Sequence, residues 1–324
     1  MVEVTIIIPT YMEEKYIQKC MESVINQNFE KEKMEIFIVD GNSTDSTIPI
    51  VKAYEEKYPR LVKLLINIKK TQAYAMNIGI GASHGKYILR MDAHAEYRND
   101  YIQKCVYYLD KTGATNVGGV AITKGKGKNG QIIAKMLSGK FGVGNSQFRI
   151  NGKSGFVDTV PFGAFRKTFF NKYGGFDTRF ERNEDNEINY RIRKNGGKVY
   201  LANDIRFIYY CRDTVNGILK MAFQNGMWNV YSIKIIPGSM GVRHFVPLLF
   251  VLSLLSLFIL GINIKLFRMM LLFELIIYFI MDFFCSSKLS NKMSEVCKLL
   301  FLHFAFHVSY GFGSVFGLFK LIKY

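Results

Sequence analysis

Three acidic clusters in the 324-residue chain have the types and spacing to do chemistry. The first is Asp40 with Asp45, directly after an apolar run. A carboxylate there could accept hydrogen bonds from base N–H or ribose hydroxyl groups, and an Asp in such a turn equally well caps the helix that follows. The second is Asp92-Ala-His94. Side chains two apart on extended backbone point the same way, so one carboxylate and one imidazole could share a divalent ion. Such an ion would neutralise a diphosphate leaving group, although a D-x-H triplet also arises often by chance. The third is Glu184-Asp-Asn-Glu187, with three carboxylates in four residues. Acid at the start of a helix is favoured by the helix dipole, and the chemical alternative makes Asp185 a general base toward an attacking hydroxyl. Arg191 and Arg193 follow on the same stretch, where guanidinium groups could hold phosphate oxygens or line a solvated basic face. His303 and His307 lie one helical turn apart with no acid nearby in sequence, so packing or interfacial roles are expected over metal ligation.

The elements that must position these residues alternate in type. Residues 4–8 form a continuous β-branched run stopped by Pro9, the pattern of a buried parallel strand. A helix is predicted over 13–26, strands over 36–40, 62–66 and 87–92, and helices from about 45 to 57 and over 72–82, with Ser43 or Thr44 as an N-cap. Strand and helix in alternation with short connections call for a doubly wound α/β sheet. The polar loops at 10–14, 40–45 and 92–96 then meet at the carboxyl ends of the strands. Residues 118–130, where Lys124, Lys126 and Lys128 alternate with glycines, read as a mobile basic loop that could close over a site. Residues 141–155 read as a second Gly-rich loop, and 184–195 as a helix closed by Gly196-Gly197.

Composition divides the chain. Of 43 Lys+Arg and 26 Asp+Glu, eight and three lie from Gly241 onward, which leaves 35 and 23, or +12, in the first 240 residues. A soluble basic front (1–240) therefore precedes an apolar tail (241–324) with segments of about spanning length at 245–262, 266–284 and 299–321. With Arg243, Lys288, Lys292 and Lys298 on the cytoplasmic side, the first two segments form a hairpin, while the third, with three glycines and two histidines, could span, re-enter or lie in the interface. Five scattered cysteines without a CxxC pair argue for a reducing compartment. The first residues lack a basic and a long apolar region, so no signal peptide is expected and the front stays in the cytoplasm. An apolar content of 49% excludes disorder and disulfide-rich mini-domains. The charge alone allows nucleic acid, but no stacking platform or recognition motif accompanies it.

Taken in order, Ile8-Pro-Thr-Tyr11 with Glu13, Val39-Asp-Gly-x-Ser-x-Asp45, Asn77-x-Gly79, Asp92-x-His94, Gly174-Gly-Phe-Asp177 and Glu184-Asp185 resemble the inverting GT-A glycosyltransferases of family 2. The Asp-Ala-His variant and the Arg243-His-Phe-Val-Pro247 entry to the tail look most like the succinoglycan-type exopolysaccharide glycosyltransferases. The resemblance implies that Thr10, Glu13 and Asp40 bind a uridine diphosphate moiety. It also implies that Asp92 and His94 bind Mn²⁺ or Mg²⁺ at the diphosphate, and that Asp185 is the catalytic base. Arg193 would help hold departing charge, and Gly163, Ala164, Glu184 and Trp228 would line the donor-sugar or acceptor path. Two departures stand out: His94 replaces the family's usual Asp, and Gln224-Asn-Gly-Met-Trp228 carries Met227 where processive members have Arg. Trp228 could stack on an acceptor sugar or anchor the chain at a membrane interface. The function implied is transfer of a sugar from a UDP-hexose to a lipid-linked saccharide, such as a polyprenyl diphosphate, at the cytoplasmic face of the cell membrane. A processive polysaccharide synthase or a catalytically silent scaffold are the alternatives.

Overall fold

The computed structural model describes residues 1–322. In chain order the elements are β1 (Val4–Thr10), α1 (Ile17–Ile25), β2 (Met34–Asp40), α2 (Thr47–Lys57), β3 (Val62–Ile66), α3 (Gln72–Ala82), β4 (Tyr87–Arg90), β5 (Ala95–Tyr97), α4 (Tyr101–Thr112) and β6 (Asn116–Lys124). Then come α5 (Gly127–Ser138), α6 (Lys140–Val143), β7 (Gly155–Phe156), β8 (Ala164–Arg166), α7 (Lys167–Tyr173), α8 (Glu184–Lys194), β9 (Val199–Tyr210), α9 (Val215–Ile235), α10 (Val246–Gly261), α11 (Lys265–Ser287) and α12 (Met293–Ile322).

By contacts the chain forms two compact units, one of residues 1–122 with 151–209 and the other of 123–150 with 210–324. The first holds the sheet, ordered β3-β2-β1-β4-β8-β6-β9-β5, with β7 on β9. Strands β3, β2, β1 and β4 run parallel, as the alternation of strand and helix requires, whereas β8 runs antiparallel to β4 and to β6. Every residue of β1 and β2 is buried, which is why both read as unbroken apolar runs rather than alternating ones. Pro9 does not stop β1, which continues to Thr10 in register with Asp40.

The predicted helix over 13–26 starts only at Ile17, because Met12 takes a left-handed conformation and Glu13 and Glu14 turn toward residues 45–47. Neither Ser43 nor Thr44 caps α2; the N-cap is Ser46 and Ser43 is drawn to Asp40 instead. Helix α8 ends at Lys194 with Gly196 at φ +78°, the left-handed stop expected of that glycine. The expected basic loop over 118–130 is instead the end of β6 and the start of α5. Its first two glycines are strand residues chosen for close packing, since a Cβ on Gly119 would lie 2.4 Å from the Ile205 carbonyl oxygen. The expected loop over 141–155 begins inside the short helix α6 and ends in β7.

The second unit is helical. Segments Val242–Gly261, Lys265–Ser287 and Met293–Leu321 are each long and apolar enough to cross a membrane. Helices α9 and α12 approach closely through glycines: a Cβ on Gly313 would lie 2.0 Å from the Phe223 carbonyl oxygen, and one on Gly226 would lie 2.0 Å from that of Tyr310. The sequence gives His303 no acid neighbour, but the fold supplies one: Asp282 of α11 meets His303 Nδ1 at 2.7 Å, with both side chains fully buried. Ser286 donates to the same carboxylate oxygen at 2.8 Å, and His307 pairs with the Tyr278 hydroxyl at 2.8 Å.

Candidate active site

Three parallel strands end at one edge of the sheet, and the side chains singled out in sequence follow each end. At the end of β1, Thr10 Oγ1 donates to Asp40 Oδ2 at 2.9 Å. Asp40 also accepts from the Ser43 backbone N–H at 2.7 Å and from Ser43 Oγ at 2.8 Å. Its carboxylate is fully buried and serves three donors, so as placed it fixes the 40–45 turn behind the surface of the site. Asp45 behaves as the turn residue its alternative reading described, accepting from the Thr47 N–H at 3.0 Å. The same turn clasps the neighbouring loop, because Met12 N–H donates to Ser43 Oγ and Glu13 N–H to Thr47 Oγ1, each at 2.8 Å.

Glu13 then reaches across to His94. Its Oε1 lies 3.0 Å from His94 Nδ1, and His94 Nε2 lies 3.9 Å from Asp92 Oδ2. Burial works against a charged imidazole here, but the hydrogen bond to Glu13, together with the adjacent Tyr209 and the charges of Asp92 and Glu13, outweighs it and lifts the His94 pKa to about 9. A carboxylate on one ring nitrogen with the other nitrogen turned toward a second carboxylate is the arrangement that orients metal-binding histidines. Asp92 and His94 Nε2 would hold a divalent ion only with the proton gone from that nitrogen, so metal and proton compete for the same position while Glu13 keeps Nδ1 oriented from behind. Among the described residues no group of three or more His, Cys, Asp or Glu side chains forms a complete ligand cage.

The first turn of α8 brings Glu184 and Asp185 to the same edge through Arg90, the last residue of β4. Arg90 Nη1 donates to Glu184 Oε1 at 2.9 Å and to Asp185 Oδ1 at 2.6 Å. The Arg90 and Glu184 side chains are buried, whereas Asp185 keeps 29% of its side chain exposed. Burial pushes the Asp185 carboxyl up to about 7; Arg90 opposes the rise, and Glu184 and Asp92 add to it. Asn189, one turn further on, ties α8 to residues 159 and 160. Another of the motif residues has structural work: Asn77 exchanges two hydrogen bonds with the backbone of Phe176, at 2.7 and 2.8 Å.

Gly163 and Ala164 lie on β4's other flank. Gly163 has φ +58° and a Cβ there would lie 2.3 Å from Asn116 Oδ1, so only glycine fits the turn; its carbonyl accepts from Arg90 N–H at 3.0 Å. Ala164 is buried in β8 opposite Leu89. Arg193 is not drawn into this group. It is exposed, donates to the Asp158 carbonyl at 3.1 Å, and stands eight residues beyond Asp185, about 12 Å along the helix axis. Trp228 belongs to α9 of the second unit, in edge contact with Tyr231. The residue missed in sequence is Arg90; the signal was a charged side chain inside the apolar run Tyr87-Ile-Leu-Arg-Met, where burial without partners would be prohibitive.

A family model described as glycosyl transferase family 2 matches residues 5–174. A Methanococcus voltae protein named dolichyl N-acetyl-alpha-D-glucosaminyl phosphate 3-beta-D-2,3-diacetamido-2,3-dideoxy-beta-D-glucuronosyltransferase is 32% identical over 319 residues, which is 95% of each chain. The succinoglycan biosynthesis protein ExoA of Rhizobium meliloti is 27% identical over 245 residues, 75% of this chain and 74% of that one. Among solved structures, the mannosyltransferase PcManGT of Pyrobaculum calidifontis, in complex with GDP-Man and Mn²⁺, superposes with a TM-score of 0.63 at 17% identity, covering 95% of this chain and 86% of that one. That likeness shows a shared fold, the GT-A type of α/β sheet. With the sheet edge, the family match and the full-length relative in agreement, the chain belongs to glycosyl transferase family 2.

Proposed function

We propose that this chain transfers a sugar, with inversion, from a nucleoside diphosphate sugar to a hydroxyl group of a lipid-linked saccharide at the cytoplasmic face of a membrane. The observation that carries the reading is the Asp185 carboxylate: it is partly exposed, held by the Arg90 guanidinium that also meets Asp92, and pushed up to about 7, where a base can accept a proton and lose it again. The acceptor oxygen gives its proton to Asp185 and bonds to the anomeric carbon, while the bond from that carbon to the diphosphate oxygen breaks and the nucleoside diphosphate leaves with the electron pair. Thr10, Asp40 and Ser43 hold the loop against which the nucleoside sits, and Gly163 and Ala164 form the buried turn beside β4 that backs the donor-sugar path. Asp92 and His94 would hold Mn²⁺ or Mg²⁺, which when bound neutralises charge on the diphosphate.

The lipid-linked acceptor is favoured by the three apolar segments and by the relative whose name specifies a dolichyl phosphate sugar. A UDP donor is what the resemblance of the residues after β1 and β2 implies, and solved structures of Staphylococcus aureus TarS with UDP share the fold at a TM-score of 0.50 and 19% identity. The division into a cytoplasmic catalytic part, 1–240, and a membrane tail, 241–324, belongs to this proposal. Detergent-purified protein given UDP-sugars, Mn²⁺ and dolichyl-phosphate-linked N-acetylglucosamine is expected to release UDP and extend the lipid by one sugar of inverted anomeric configuration. Asp185→Asn is expected to lower turnover at least about 100-fold with donor binding nearly intact; turnover at the wild-type rate would remove Asp185 from the mechanism. Repeated addition on one acceptor would instead establish a processive synthase.

A further inference from the structure

Arg90 is 2% exposed and lies among more acid than it can neutralise. Its Nη1 serves Glu184 and Asp185, its Nη2 reaches Gln72 Oε1 at 3.0 Å and Asp92 Oδ1 at 3.5 Å, and its Nε stands 3.5 Å from the same Asp92 oxygen. The guanidinium also lies 5.7 Å from the centroid of the Phe162 ring. Phe162 has φ +60° and precedes Gly163 at φ +58°, two successive left-handed residues that a non-glycine side chain adopts only at a cost. One planar group thus touches the end of β4, the first turn of α8, the first residue of α3 and the turn before β8. These segments are far apart in sequence, and each contributes a wall or a functional group to the site.

Resting on the reading of Asp185 as the base, we propose that Arg90 is a positioning residue for transfer. It holds Asp185 by one oxygen with the exposed edge of the carboxylate toward the acceptor, and it keeps Asp92 and Asp185 apart so that each serves a separate purpose. Three features favour this over a plain buried ion pair. First, the carboxylate it grips most closely, Asp185, is the one left partly exposed, whereas Glu184 beside it is closed off. Second, the contacts use both edges of the fork, a geometry that a lysine ammonium cannot reproduce. Third, Gln72 and the Phe162 ring fix the guanidinium itself, and neither has a part in neutralising charge. Arg90 touches no reacting atom in this scheme; it acts through the two aspartates.

The test uses the full-length protein in detergent with UDP-N-acetylglucosamine or another UDP-sugar that it turns over, Mn²⁺ and dolichyl-phosphate-linked N-acetylglucosamine. Arg90→Lys keeps the charge and loses the fork. Its kcat is expected to fall about 10- to 100-fold, with donor KM and the number of donor sites per chain by calorimetry nearly unchanged. Gln72→Met removes a support of Arg90 without touching a carboxylate, and a smaller loss, about 3- to 10-fold, again in kcat alone, is expected. An unchanged kcat in Arg90→Lys overturns the inference, and so does a loss that appears wholly in KM or wholly as missing donor sites, the mark of a merely structural role. Asp185→Asn, measured alongside, reports on the base itself. Wild-type turnover in that variant removes the base reading, whereas loss there with full kcat in Arg90→Lys removes only the role of Arg90.

Discussion

A carboxylate that takes a proton from a hydroxyl near neutral pH must be ionised there and still basic, a balance that water alone does not give an aspartate. Asp185 reaches it because burial and two neighbouring acids raise its pKa while Arg90 restrains the rise to about 7. The active form is the deprotonated one, so kcat/KM should climb with pH through about 7 and level off above it. A kcat/KM that stays flat from about pH 5 to pH 9 would contradict this assignment. Glu13 makes a second case at this scale. Sequence placed it with the nucleotide, but its side chain lies on His94 Nδ1. Glu13→Ala is expected to weaken Mn²⁺ binding about 10- to 100-fold in calorimetry without donor present, and an unaltered affinity would exclude it from the metal's surroundings.

Elements explain why those residues meet. Parallel β1, β2 and β4, joined by crossovers through α1, α2 and α3, deliver Thr10, Asp40 and Asp92 to one edge, since parallel strands all present their carboxyl ends on the same side. In the second unit, the glycines of α12 that left its membrane role open have a packing purpose. Gly313 lets the helix lie against the backbone of α9, and Gly311 does the same against Pro247 of α10. Gly313→Leu should force these helices apart at a cost of about 1–3 kcal/mol, read as a lowered unfolding temperature in detergent. A variant as stable as wild type would mean that the close approach is dispensable. The Asp282–His303 pair between α11 and α12 is a further contact that only the helix packing creates.

At the scale of the whole molecule, charge and hydropathy make a topological claim. Lys288 and Lys292 fall between the second and third apolar segments and Lys298 lies near the start of the third, and by the positive-inside rule the proposed orientation puts this end on the cytoplasmic side. Cys297 is exposed near the start of α12, while Cys285 is half-buried and Cys20, Cys105 and Cys211 are buried. A membrane-impermeant maleimide is expected to label Cys297 in inverted membrane vesicles and to spare it in intact cells. The opposite pattern would reverse the proposed orientation.

The sequence by itself determined what depends on short-range order. The parallel strands β1 to β4, the span of β3 and α3, the start of α8 at Glu184 and three long apolar helices all follow from periodicity, turn residues and composition, which act within a few residues. The ordered set of motifs likewise marked the family. Tertiary structure decided what depends on partners far along the chain. Arg90 meets acids 94 and 95 residues away, His303 finds Asp282 across a helix pair, and the glycines at 118 and 119 sit in a strand where Val160 and Ile205, distant in sequence, press on them. Arg193, eight residues from the base on the same helix, stays outside the site because the helix carries it along its axis and away from Asp185. A buried charge in a strand announces that partners exist; which partners they are is fixed only when the sheet closes.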